Sequence, residues 1–243
     1  MIEYYDSIEE LPVKRFHKFN KYMLIDSGIG SDLNDVNEHI DKVARYIKFD
    51  TKAARTELEN LRQSLYLIAE GTNVKHLSFA ILIYSIDSRV MHDISDENIK
   101  RVSRMMSDSP KRLLDQLIDS VKKKIDLELN QYFPNQFQDS TTKEHYDKLK
   151  KRVLLQLHEA KTGEDSSKKV ESIDNEILMD NKPKTFAGKE SIEVLYDKQF
   201  EESCIYLRKE LGVDIDSMST QQFYNSIEYI EKVNKAKSKA NGR

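Results

Sequence analysis

The chain has 243 residues and a formal net charge of −3, and 33% of its residues are charged. This balance argues against a strongly basic nucleic-acid-coating protein and against an acidic solvating tail, and the length is ample for a buried core. Glycine and proline are scarce, at seven and four residues, which disfavours an all-β fold because tight turns need them. The single cysteine, Cys204, excludes an internal disulfide framework and a cysteine-rich metal site.

Membrane and export signals are weak in this sequence. The most apolar segment, residues 79–86, is too short to cross a bilayer. The first residues do not combine a cationic start with an apolar run, so we expect no secretory signal peptide. These patterns predict a protein that works in the cytosol.

The first long helical region is divided by a glycine hinge. An aromatic helix is expected over residues 13–25, followed by the hinge DSGIGSD at residues 26–32. Two further helices then carry apolar residues at alternating spacings of three and four, which places them on one stripe of each helix. These stripes consist of Leu33, Val36, Ile40, Val43 and Ile47, and of Leu58, Leu61, Leu65 and Ile68. The aromatic helix and the helix after the hinge cannot bury their own stripes alone, so we expect other elements to cover both, the first being Phe16, Phe19 and Met23. We also expect the stripe of the third helix to be buried.

Residues 79–86 are apolar on every side, so their pattern fits either a buried helix or a buried strand. Helix is favoured because no partner strand is evident nearby. Later stripes predict a long helix through Leu114, Ile118, Val121 and Ile125, and another through Tyr146, Leu149, Val153 and Leu157.

The pattern changes again after residue 160. Residues 161–189 are mostly polar, with enough apolar residues for one short helix, and they predict an extended linker. Residues 190–243 form a predicted helical pair with a basic tail. The overall expectation is an all-α protein: a multi-helix bundle over residues 1–160, joined by the polar linker 161–189 to a small carboxy-terminal helical hairpin at 190–243.

No constellation for catalysis, cofactor binding or metal binding stands out. The six histidines are scattered, and the hinge lacks both the third glycine of a dinucleotide fingerprint and the lysine of a P-loop. Cys204 lies on an apolar helical stripe, where a buried structural cysteine is expected. Basic clusters have acidic neighbours, so solvated surface is favoured over nucleic-acid contact. We therefore predict a non-enzymatic protein with no cofactor and no metal.

Several stretches carry a resemblance to a known group. Residues 4–12 (YYDSIEELP), 15–22 (RFHKFNKY) and the hinge, together with 122–134 and 218–224, resemble small helical proteins encoded in the structural gene clusters of tailed bacteriophages. The similar pieces cover about half of the chain. The resemblance implies a role in virion assembly, as a tail-assembly or head–tail connector component. It also implies phage structural proteins as partners, and a location in the host cytoplasm during assembly or in the virion.

The sequence also suggests where partners would bind. The carboxy-terminal pair offers Tyr206, Tyr224 and Tyr229, aromatic residues at or beyond the edge of its apolar stripe and suited to anchoring an interface. The pair either serves as a separable docking module or folds back onto the amino-terminal core, and homo-oligomerisation stays open. An intracellular regulatory adaptor, with weak sequence-independent nucleic-acid contact, is the alternative function.

Overall fold

The computed structural model of the chain describes residues 2–106, 111–137 and 140–241. Helices dominate these residues, with one small sheet, which confirms the all-α prediction. The helices are α1 Val13–Gly28, α2 Leu33–Tyr46, α3 Thr51–Ala69, α4 Val74–Leu82, α5 Asp96–Met105, α6 Lys111–Tyr132, α7 Pro134–Phe137, α8 Ser140–Thr162, α9 Ser167–Asp180, α10 Ile192–Leu211 and α11 Thr220–Asn241. The strands are β1 Ile2–Tyr4, β2 Ile83–Ile86 and β3 Arg89–Val90, and a short 3-10 helix spans Ile215–Ser217.

The apolar segment 79–86 is half helix and half strand. Helix α4 ends at Leu82, and Ile83 begins β2, which pairs antiparallel with β1 on one side and β3 on the other. Ile2 lies opposite Ile86 in this sheet. The prediction of helix throughout is therefore wrong for its second half. The partner strand comes from the beginning of the chain, about 80 residues away, where local pattern gives no sign of it.

The sheet is joined to α1 by a buried arginine. The guanidinium of Arg15 donates to the carbonyl oxygens of Ile81 (2.7 Å), Ile83 (3.1 Å) and Met91. Burial of this group lowers the pKa of Arg15. A residue that reads as part of a surface basic cluster is thus an internal hydrogen-bond donor that satisfies backbone carbonyls.

The main core lies between α1, α4, α5 and α6. The predicted stripe of α6 is buried there, with Ile118 and Ile125 almost fully inaccessible. Phe16 and Phe19 of α1 and the whole apolar run of α4 complete this core. The three- and four-residue spacing therefore predicts the buried face of α6 correctly.

The carboxy-terminal pair packs on α1. Backbone bonds run from the Val13 N–H to the Met218 carbonyl (3.1 Å) and from the Thr220 N–H to the Leu11 carbonyl (2.8 Å). A second apolar cluster gathers around Val13 and contains the buried Cys204, as expected. Helix α10 ends at Gly212, whose φ of 65° is the left-handed conformation that favours glycine. The sequence left open whether the pair is a separable module or folds back onto the amino-terminal core. In the structure it folds back.

The segment 161–189 is not extended. It contains α9, a helix of 14 residues, and its apolar residues Ile173, Leu178 and Phe186 are buried. Polar contacts hold α9 against α8, including an ion pair between Arg152 Nε and Asp174 Oδ1 at 2.6 Å. The short helix that these apolar residues allow is therefore present as α9, and the segment packs on its neighbours instead of running as an extended linker.

Candidate protein-interaction site

The hinge between α1 and α2 fixes where the second helix begins. Gly30 has a φ of 66°, and a Cβ there would meet the side chain of Asp35 at 2.2 Å. Asp32 accepts from the backbone N–H groups of Asn34 and Asp35, while Asp35 accepts in return from the Asp32 N–H. This capping box confirms the predicted helix–helix turn and sets the direction of α2.

Helices α2 and α3 form an antiparallel hairpin whose seam is polar. Nδ1 of His39 lies 2.9 Å from Oε1 of Glu57, and Nε2 of His39 lies 2.7 Å from the carbonyl oxygen of Ile29. Both side chains are almost completely buried. Burial opposes protonation of His39, but the bonds to Glu57 and Ile29 outweigh it and raise the pKa of His39. The geometry fits an imidazolium that donates from both ring nitrogens.

The same side of the hairpin is covered by residues 178–186. The Tyr46 hydroxyl donates to the carbonyls of Leu178 (2.8 Å) and Asn181 (3.1 Å). Asn60 Nδ2 donates to the Lys184 carbonyl at 3.1 Å. Phe186 lies against Gly28 at the hinge. The inner side of the hairpin is thus held by specific polar bonds and a few apolar contacts.

The apolar stripes of this hairpin lie on an adjacent side, turned away from the buried one. Five of their side chains are about half exposed or more: Leu33 71%, Ile40 49%, Ile47 63%, Leu58 55% and Leu65 49%. We call these five residues the outer apolar face. Val36, Val43 and Leu61 are only partly buried. The expected cover is therefore found for Phe16 and Phe19 of α1, which are buried in the main core. It is wrong for the stripes of α2 and α3, where polar residues and the small Ala53 and Ala54 take the buried positions.

Helical geometry explains this arrangement. Glu57, Asn60 and Ser64 recur at spacings of three and four and occupy the inner side of α3, about 80° around the helix from its apolar stripe. His39 and Tyr46, seven residues apart, do the same on α2. The buried set of the hairpin is thus a polar periodicity beside the apolar one, and spacing does not show which of the two is buried.

A smaller surface of the same kind lies on α8. Its predicted stripe includes Tyr146, Val153 and Leu157, and all three are exposed. The opposite, charged side of α8 contacts α9 through Arg152 and through an ion pair between Lys148 and Asp180. Helix α8 thus repeats the pattern of a polar seam and an exposed apolar stripe.

The three tyrosines that the sequence singles out do not form one surface. Tyr206 and Tyr229 are exposed, and the Tyr206 hydroxyl accepts a hydrogen bond from Asn234 at 2.8 Å. The ring of Tyr224 instead packs among Phe16, Phe133, Phe137 and Phe223. Tyr224 is therefore only partly exposed, since its position on α11 faces α1 and α7.

Two clusters of basic residues, one on α1 and one on α6, form ion pairs with acidic residues of the same chain. Lys18 pairs with Asp96 at 2.6 Å and Lys21 with Asp197 at 2.9 Å, both on the face of α1 that also holds the buried Arg15. Lys124 pairs with Asp6 at 2.8 Å and Lys122 with Asp126 at 3.1 Å. Much of the positive charge that a nucleic acid would need is therefore already neutralised at these positions.

A groove of about 630 Å³ lies between α1, α6, α7 and the carboxy-terminal pair. Tyr196, Tyr224 and Phe137 line part of it, and its charged residues include Asp26, Asp119 and Lys75. Lys75 pairs with Asp119 at 2.7 Å. Burial, and then the nearby Asp35, raise the pKa of Asp26 to about 6. The groove is open, and its lining is mixed in charge.

The described residues contain neither a metal-binding cluster nor a membrane-spanning helix. Across residues 2–106, 111–137 and 140–241, no three or more histidine, cysteine or acidic side chains cluster as a metal would require. In the same part of the chain, no helix has the length and apolar character needed to cross a membrane.

Comparison with protein-family models, with curated proteins and with solved structures found no match to this chain.

Proposed function

We propose that this chain is a non-enzymatic protein–protein interaction component of a tailed bacteriophage, acting in tail assembly or at the head–tail connection. Its partners are then phage structural proteins, and its place is the host cytoplasm during assembly or the finished virion. The observation that carries the interaction role is the outer apolar face. The phage assignment rests on the resemblance of residues 4–12, 15–22, 26–30, 122–134 and 218–224.

The argument for interaction starts from the energetic cost of exposure. Soluble monomers rarely leave a contiguous apolar patch of more than a few hundred Å² in water, and larger patches mark binding surfaces. On the outer apolar face, apolar residues repeat at the three- and four-residue spacing of a coiled-coil seam. A seam of this kind is completed by packing against further helices, since its residues interdigitate with those of a facing helix.

Rigid support of the hairpin adds to this argument. An interface binds better when its residues are already ordered, because less conformational entropy is lost on association. The capping box at Asp32, the His39–Glu57 pair and the bond from Tyr46 to Leu178 hold the hairpin from its inner side. The outer apolar face is therefore presented in a fixed arrangement.

The test uses cells that produce the phage particle whose genome encodes this chain. Quantitative mass spectrometry should find the chain with tails or with tail-assembly intermediates in near-stoichiometric amount. Removal of its gene should leave heads and tails unjoined or tails incomplete. Complementation should succeed with the native chain and fail with Ile40→Glu, which puts a charge on the outer apolar face.

A matched control variant distinguishes the loss of the outer apolar face from the general effect of adding a charge to the surface. Leu127 on α6 is as exposed as the residues of the outer apolar face but lies elsewhere. Leu127→Glu should complement like the native chain. Normal particle yield without the gene, with no copies of the chain in tail fractions, would rule out the assembly role. Full complementation by Ile40→Glu would show that the outer apolar face is not needed for the assembly role.

A further inference from the structure

The groove between α1, α6, α7 and the carboxy-terminal pair has two chemically different ends. Its volume of about 630 Å³ lies within the range of about 300–1,000 Å³ that is usual for ligand pockets. It follows one face of α1, from Phe19 and Asn20 to Asp26 and Ser27. Asp26 comes seven residues after Phe19 in this helix, so at about 1.5 Å rise per residue the two ends lie roughly 10 Å apart.

One end of the groove is formed by aromatic side chains. Tyr196 of α10, Tyr224 of α11 and Phe137 of α7 line it together with Phe19 of α1. The rings of Phe137 and Tyr224 meet edge to face, with their centroids 4.9 Å apart. Tyr196, Tyr224 and Phe137 are all only partly buried. This end therefore offers aromatic surface against which a further apolar side chain can pack.

The other end carries a carboxylate that has no ion-pair partner. The charged residues that line the groove are Asp26, Asp119, Asp126, Lys75 and Lys122. Lys75 pairs with Asp119 at 2.7 Å, and Lys122 pairs with Asp126 at 3.1 Å. Across the described residues, the Asp26 carboxylate makes neither an ion pair nor a hydrogen bond. Three acids and two bases leave the groove with one negative charge, and Asp26 is the group that carries it.

The groups around Asp26 do not compensate this charge. Burial, and then the charge of Asp35, raise the pKa of Asp26 to about 6, with a further contribution from Asp32. Lys75 of α4 and Lys122 of α6 act in the opposite direction, but each is already paired with another aspartate. An additional cation at Asp26 favours its ionised form and relieves the cost of burying the charge.

We propose that this groove binds a short extended segment of a partner protein that carries a lysine or arginine two positions away from an aromatic residue. The cation pairs with the Asp26 carboxylate, and the aromatic side chain packs against Tyr196, Tyr224 and Phe137. The groove is a separate surface from the outer apolar face, so the inference does not depend on that face.

The dimensions of an extended peptide fit this arrangement. Side chains two positions apart lie on the same face of an extended chain, about 7 Å from each other. The flexible apolar stem of the basic residue spans the rest of the distance of roughly 10 Å and packs along the groove while its charged end reaches Asp26. The openness of the groove allows the peptide backbone to enter from solvent.

The test follows the binding of short peptides to the isotope-labelled full chain by NMR. Two pentapeptides, acetyl-Gly-Lys-Gly-Phe-Gly-amide and acetyl-Gly-Phe-Gly-Lys-Gly-amide, present the two side chains in either order. At least one should bind with a Kd below about 1 mM and shift the amide signals of Asn20, Met23 and Asp26. Norleucine in place of the lysine, or alanine in place of the phenylalanine, should weaken binding by about tenfold or more.

A variant of the acidic end isolates the contribution of its charge. Asp26→Asn keeps the shape of the side chain, so it should weaken the lysine peptide by about tenfold and leave the norleucine peptide unchanged. As a matched control, Asp41→Asn makes the same change at an exposed position of α2 outside the groove and should alter neither affinity.

The pH dependence of binding gives a second readout of the same group. The affinity of the native chain for the lysine peptide should fall about tenfold from about pH 7.5 to about pH 5, because Asp26 becomes protonated and can no longer pair with the cation. Asp26→Asn should bind this peptide equally at both pH values. A native chain without this pH dependence would contradict the role of Asp26.

The remaining outcomes also decide the inference. Kd values above about 1 mM for both lysine peptides, or shifted signals that lie outside the groove, overturn the site. Equal affinity for the lysine and norleucine peptides overturns the pairing with Asp26. If 2-phenylethylamine binds as tightly as the peptides, the groove is a site for small amines and the assignment to a peptide is wrong. The NMR spectrum of each variant confirms that it is folded, and the particle assay decides the assembly role separately.

Discussion

Helix α6 and the α2–α3 hairpin carry apolar residues at the same three- and four-residue spacing, yet the chain uses them in opposite ways. In α6 the stripe is the core, with Ile118 and Ile125 almost inaccessible to water. In the hairpin a polar set that includes His39 and Glu57 is buried, and Leu33 and Leu58 remain exposed. Spacing therefore identifies an apolar stripe, but it does not say whether the same chain covers it.

The physical difference lies in what each region can offer its neighbours. The stripe of α6 meets α4, whose apolar residues from Leu77 to Leu82 are buried in the same core. The hairpin meets residues 178–186, a segment that offers backbone carbonyls and only a few apolar side chains. Polar residues on the inner side of the hairpin satisfy those carbonyls, so the apolar stripe is turned outward.

The largest expected effect on stability appears when the same charge is placed on the stripe of α6 and on that of the hairpin. Ile125→Asp should cost more than about 4 kcal/mol of unfolding free energy, because it places an unpaired carboxylate in the core. Leu65→Asp should change the concentration-independent free energy of unfolding by less than about 0.5 kcal/mol, since the position already faces water. Urea unfolding of both variants measures this, and equal losses would contradict the assignment of the two faces.

A smaller loss is expected from the polar seam. Glu57→Ala should destabilise the protein by about 3 kcal/mol, because it leaves the buried His39 without its counter-charge. Glu59→Ala, two residues away on the exposed side of α3, should have no measurable effect. Urea midpoints compared at one pH test the difference. If Glu57→Ala is as stable as Glu59→Ala, the stability of the hairpin does not depend on the pair of His39 and Glu57.

The contact between the hinge and residue 186 should contribute less. A Cβ at Gly28 would lie 2.3 Å from the ring of Phe186, so Gly28→Ala should cost about 1 kcal/mol through overpacking. In a Phe186→Ala background the same change should be neutral or slightly stabilising, as alanine favours helix more than glycine does. A double-mutant cycle measures the coupling. A coupling energy of zero would mean that Phe186, and with it the segment 161–189, does not pack against the hinge.

The smallest expected effect is a pH dependence confined to the hairpin. The pKa of His39 is raised in the folded state, so its protonated form favours folding. This stabilisation is fully present below the ordinary histidine pKa of about 6.5 and is lost as pH rises through the raised folded value. Urea midpoints should therefore fall over that interval, and His39→Gln should flatten the dependence. An unchanged slope in that variant would assign the effect to another group.

Part of the architecture could be read from local signals. The hinge aspartates predict the cap of α2, and Gly212 predicts the end of α10, because capping depends on residues within one turn. The stripe of α6 and the buried Cys204 were also predictable from spacing. These features depend on neighbours along the chain, so a single sequence contains the information that decides them.

Long-range partners decided the rest. The sequence determined the helical class, the hinge and the existence of an apolar stripe on the hairpin. Only the tertiary structure decided that β1 pairs with β2, that residues 161–189 dock, that Tyr224 packs among other aromatic rings and that Leu33 and Leu58 face water. In each case the deciding contact joins residues far apart in the chain, and a periodic pattern specifies a face without specifying what will lie against it.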